Sequence, residues 1–317
     1  MIFFIKSFQF ELECFMTVLP GVILMIITGI GWAAVGAIVG AGSKRKISMA
    51  DVQCCSSLLI VITAVIMLCI RPDQPADGTV RFMSLAAFWL AGMLNFFMML
   101  LMQAAMSNGP NGIAWAIIQS GMVVPFLIGT FFFKENPAWG RLLGLLMLLI
   151  SLVLFAFARD NSVKGNRSIW LLASAMGFLV AGTNQTLVNL PSYYYSADAV
   201  STVSRTLFLQ AGTFCGWLFA LPFRFKKISG NFNLAMLKIA ACLAAVYLIN
   251  GFFVQYYGMN MLAKVGFGAV AMPIISASCL IFFTLYSIVC LREKLTWASR
   301  IAFVLCILGV ILMSLKN

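Results

Sequence analysis

The chain has 317 residues, 62% of them hydrophobic and only 9% charged, with a mean hydropathy of +1.02 and a formal net charge of +12. A soluble globular domain carries about 25% charged residues, so this composition excludes one. Apolar runs of about 18 or more residues recur throughout and read as transmembrane helices, whereas a β-barrel would show short alternating segments. The Lys and Arg residues lie in short connections between the runs, where the positive-inside rule and lipid headgroups place them. That distribution excludes nucleic acid as a partner and makes the lipid bilayer one.

Residues 1–16 form an N-terminal segment with Glu11 and Glu13 among apolar residues; it lacks the pattern of a signal peptide, and no role is assigned to it. Cutting at charges, Pro and Gly predicts ten spans. Five run over 17–40, 49–70, 82–106, 112–133 and 139–157. A polar linker, 158–167, separates them from 168–190, 199–222, 235–257, 266–291 and 297–315. Pro125 and Pro273 fall within the fourth span of each half and predict a kink or break there. The spacings Gly36–Gly40 and Gly140–Gly144 suit close helix packing. Nine Cys and no His are present. Most of the Cys lie inside spans as small hydrophobes, and Cys54-Cys55 has no partners at metal-ligand spacing. No metal site and no cofactor are expected. An intramembrane enzyme would need a nucleophile with a base or clustered carboxylates, and the acids here are dispersed near span ends.

The two halves repeat. "FFFKENPAWGRLLGLL" after span four matches "VCLREKLTWASRIAFV" after span nine, and Glu135 and Glu293 stand 158 residues apart, half the chain. "GIAWAIIQSG" likewise echoes "GAVAMPIISAS". Repeats with an odd number of helices must lie in opposite orientations, as in secondary carriers with a midplane site. The fold class is therefore an all-α polytopic membrane protein, ten transmembrane helices arranged as two inverted five-helix repeats, 17–157 and 168–317. Lys and Arg number 13 in the connections after odd spans against 7 on the other side, which predicts both termini outside the cell.

Two halves, each with a fourth helix closing on Lys-Glu or Arg-Glu and a fifth opening near Trp139 or Trp297, resemble the drug/metabolite transporter superfamily, most nearly its EamA-type permeases. The resemblance covers nearly the whole chain. It implies a carrier in the cell membrane that works by alternating access without a cofactor. It also implies a central cavity lined mainly by helices one, three, four, six, eight and nine. The family carries amino acids, sugars, nucleotide sugars and drugs, so the resemblance leaves the substrate open.

Charged groups are nearly absent at membrane depth, and amides, hydroxyls and aromatics take their place. Asn184 and Gln185 lie within span six, where the Asn-Gln-Thr acceptor match is accidental because no transferase reaches it. With Trp32, Asn95, Gln119, Asn250 and Ser278 they form the expected substrate-binding set. The alternative for each amide is a hydrogen bond that glues two helices. Arg205 is either an anchor for a carboxylate or phosphate or an arginine that snorkels or pairs with Asp198. Glu135, Lys264 and Glu293 are assigned to a gate or to structure. The reading is a carrier exporting a small polar metabolite, an amino acid or related solute. The alternatives are a sugar-uptake permease of the glucose/rhamnose type and a non-transporting scaffold. The internal duplication permits a monomer.

Overall fold

The structure is a computed structural model and describes residues 2–45, 47–73, 78–132, 139–157, 165–194, 200–223, 233–264, 268–292 and 296–314. All the regular structure among these residues is helical. In chain order the helices are α1 (Ile2–Lys44), α2 (Met49–Ile70), α3 (Gly78–Asn108), α4 (Asn111–Gln119), α5 (Val123–Phe132) and α6 (Trp139–Phe157). The second half holds α7 (Arg167–Tyr194), α8 (Thr202–Ala220), α9 (Leu234–Ile249), α10 (Gln255–Lys264), α11 (Gly268–Val289) and α12 (Trp297–Ser314). A 3₁₀ turn, Ser120–Met122, joins α4 to α5, and a π-helical turn, Asn250–Val254, joins α9 to α10. Counting each pair as one broken rod, the described residues form ten rods. Among the described residues, seven helical segments are long and apolar enough to cross a membrane. The chain is thus a polytopic membrane protein.

The first and eighth spans differ from the sequence reading. The backbone of α1 is helical from Ile2, with Pro20 inside it, rather than starting near residue 17. The fourth span is interrupted ahead of Pro125, as its proline predicts, and the eighth is interrupted without a proline and runs to Lys264 rather than ending near 257. Pro125 explains the first break: it has no N–H to donate to the Gly121 carbonyl, so the helix tightens into a 3₁₀ turn just ahead of it. Pro273 breaks nothing; α11 runs through it.

The rods pack in a recurring pattern. In the first half α1 packs on α11, and in the second half α7 packs on α4 and α5. Helix α3 packs on α7 and on α8, while the broken rod α9–α10 packs on α1 and on α2. The remaining large pairings are α2 with α8 and α6 with α12. At the α3–α8 crossing the backbones touch. A Cβ on Gly92 would strike the Leu209 carbonyl, and one on Gly212 the Trp89 carbonyl. The Thr213 hydroxyl donates across this contact to the Gly92 carbonyl at 3.0 Å. Small residues at such crossings let helices associate through van der Waals contact where lipid offers no hydrophobic contrast.

Outward faces are apolar, as with Ile62, Val153 and Phe253. On a soluble protein such surface would mark an interaction site; here it meets hydrocarbon. The interior holds two main apolar clusters. One surrounds Trp115, Met102 and Trp170, and the other Phe88, Tyr256 and Met272.

Candidate functional site

Between these clusters lies a cavity of about 80 Å³. That is room for about two or three water molecules, or one small solute. Its walls come from α1, α3, α4, α7, α8, the broken rod α9–α10 and α11. Helices α2, α6 and α12 contribute no lining residue among those described.

Both breaks in the helical rods fall at the cavity. Gln119, the last residue of α4, lines it immediately before the 3₁₀ turn. Asn250 and Gly251 line it from the π turn. A π turn inserts one residue into the helix and shifts the following carbonyls off their usual partners. The Thr202 hydroxyl meets one of them, donating to the Phe252 carbonyl at 3.1 Å. The turn is wedged between two other walls. A Cβ on Gly31 of α1 would strike the Asn250 amide, and one on Gly251 would strike the Thr206 hydroxyl of α8. Glycine at 31 and 251 therefore lets the π turn sit against the neighbouring helices.

Seven side-chain amides reach the cavity: Asn95, Gln119, Asn184, Gln185, Gln210, Asn250 and Gln255. Asn184 also donates to the Ala91 carbonyl of α3, so it joins two helices as well as lining the wall. The Asn95 amide is hydrogen-bonded to the Tyr247 side chain. Gln185 Oε1, Gln210 Nε2 and Asn250 Nδ2 are buried without a hydrogen-bond partner. Trp32, Trp115, Tyr247 and Tyr256 add aromatic surface. The Trp115 indole N–H donates to Cys279 Sγ at 3.2 Å, and its ring lies 4.9 Å from that of Phe283, which fixes its orientation. No Asp, Glu, Lys or Arg is among the described lining residues.

Of the residues singled out from sequence, Trp32, Asn95, Gln119, Asn184, Gln185 and Asn250 line this one cavity. Ser278 does not; it is buried where α11 crosses α1, against Gly29. Arg205 is also outside the lining. Its Nε donates to the Val200 carbonyl and its Nη1 to Asn260 Oδ1, both at 3.1 Å. The guanidinium lies 5.9 Å from the Phe88 ring centre and 5.7 Å from that of Tyr256. It thus supports Tyr256 from behind the cavity wall. Asp198, Glu135 and Glu293 lie outside the described residues, and Lys264 closes α10 with its side chain likewise undescribed.

Sequence reasoning missed α8 as a wall, along with Thr206, Gln210 and Gln255. Gln210 stands mid-helix in "TLFLQAGTF", and the argument that found Asn95 applies to it equally. Of the aromatic lining only Trp32 was picked out from sequence; Trp115, Tyr247 and Tyr256 read as core.

Residues 19–157 match the model of the EamA-like transporter family. The match covers less than half of the chain, and the family is one of the drug/metabolite transporter superfamily. A solved crystal structure, described only as that of a protein, is similar over 91% of this chain and 94% of its own, with 16% identity and a TM-score of 0.58. At that identity the likeness speaks for the fold alone. No curated protein matches the chain in sequence.

Proposed function

We propose that this chain is a secondary carrier that moves one small polar metabolite across the cell membrane by alternating access, using the amide-lined cavity as its substrate site. The observation that carries the reading is the cavity itself. Seven amides converge from five rods, two of them the interrupted ones. In carriers, broken helices at the meeting of two repeats mark the site.

The two halves, 17–157 and 168–317, act as inverted repeats in this reading. The packing pattern supports it. Exchanging each rod for the one five places later turns α1 on α11 into α7 on α4–α5. It also turns α3 on α7 into α10 on α1, and α3 on α8 into α9 on α2. The α2–α8 and α6–α12 pairs map onto themselves. A pseudo-two-fold axis relates such contacts, and rocking about it would open the cavity to each side in turn.

Arg205 is the candidate carboxylate anchor for an amino acid, and its side chain is held outside the cavity by Val200 and Asn260. Its placement favours the second reading, a carrier of sugar-like solutes, over amino-acid export. Counterflow in proteoliposomes tests the carrier function. Vesicles loaded with one unlabelled solute should accumulate the same solute, labelled, from outside. Folded protein that supports no counterflow with any amino acid, sugar or polyol would refute the carrier.

A further inference from the structure

We propose that the cavity takes an electrically neutral, polyhydroxylated solute, with Gln185, Gln210 and Asn250 as its principal hydrogen-bonding contacts. This rests on the carrier reading above and narrows it. Gln185 Oε1, Gln210 Nε2 and Asn250 Nδ2 are unpartnered. Their side chains are only 3%, 1% and 4% exposed, and all three line the cavity. A buried polar atom left unpaired loses its full hydration, so native proteins rarely tolerate one. Three around a single cavity mark where a ligand completes the set.

The unpartnered atoms are one acceptor and two donors. The group that answers both kinds is a hydroxyl, which donates and accepts. A carboxylate only accepts and an ammonium only donates, and each brings a charge. Among the described lining residues no side chain of opposite charge is available, and Arg205 is engaged behind the wall. A charge desolvated there would be uncompensated. The indoles of Trp32 and Trp115 and the rings of Tyr247 and Tyr256 offer flat apolar faces beside the amides. The C–H face of a sugar ring or cyclitol packs on such surfaces while its hydroxyl rim reaches the amides.

The test uses the full chain in tight proteoliposomes. Counterflow is measured for D-glucose, D-ribose and myo-inositol, for D-glucuronate, which keeps the ring but adds a carboxylate, and for L-threonine. At least one neutral solute should exchange about tenfold or more faster than glucuronate and threonine, the margin expected of a site that must pair its buried groups. Gln210→Leu should lower that exchange about tenfold with an unchanged thermal midpoint. Gln210→Glu, close in shape but charged, serves the same purpose if the leucine variant does not fold. Glucuronate or threonine moving as fast as the neutral solutes would overturn the inference and leave the carrier standing. So would full neutral exchange in either folded Gln210 variant. No movement of any solute in folded protein would overturn the carrier reading, and this inference with it.

Discussion

Gly92→Ala adds one methyl group at the α3–α8 crossing. The new Cβ would overlap the Leu209 carbonyl oxygen and lie 2.8 Å from its carbon and 2.9 Å from the Thr213 nitrogen. All three are backbone atoms, so no rotamer change relieves them. Helix propensity favours Ala over Gly by about 1 kcal/mol. Against this stand overpacking, about 1–3 kcal/mol or more, and the strained Thr213–Gly92 hydrogen bond, worth about 1 kcal/mol. The net expectation is a loss of roughly 1–3 kcal/mol. The consequence reaches the cavity, because α3 carries Asn95 and α8 carries Gln210. Separating the helices misaligns the two walls. Gly78→Ala is the matched control: it makes the same change at the start of α3, where a Cβ meets nothing within 4 Å. Fluorescence-detected thermal unfolding in detergent and counterflow in vesicles should both fall for Gly92→Ala and hold for Gly78→Ala. If the two variants share the wild-type midpoint and rate, the backbone contact at the crossing is not what holds α3 against α8.

Gln119→Leu and Asn184→Leu should reduce counterflow while the protein still inserts and purifies as a monodisperse species; unchanged rates in both would remove them from the site. Trp115→Ala should destabilise by about 3–5 kcal/mol, since it empties a fully buried indole position, seen as a lower thermal midpoint and lost transport together. Asp73 accepts from the Ser204 hydroxyl in the first turn of α8 at 2.6 Å and pairs with Arg81 at 3.4 Å. Its side chain is mostly buried, so Asp73→Asn should cost about 1 kcal/mol through the lost charge at the helix N-terminus, and a midpoint equal to wild type would show that contact to be dispensable.

The rods were legible in the sequence because the bilayer imposes them. A chain in hydrocarbon must satisfy its backbone internally, so each crossing needs a long, nearly charge-free apolar helix, and hydropathy alone locates it. The amides were legible for the same reason, since a carboxamide at membrane depth has to face protein or a polar cavity. That argument marks Asn95, Gln119 and Asn250 one by one, but does not say that they meet. Convergence depends on which face each rod turns inward, and that follows from long-range contacts such as Gly92 on Leu209 and Gly31 against Asn250. The π turn at Asn250–Val254 is likewise a tertiary outcome, fitted between α1 and α8 and stabilised by Thr202. Arg205 shows the limit most clearly. Sequence placed a lone cation inside a span, where an anchor for an anionic substrate was a reasonable expectation. Only the packing of α8 against the π turn of the broken rod α9–α10 decided that its donors go to Val200 and Asn260, leaving the described cavity wall to amides and aromatic rings without a formal charge.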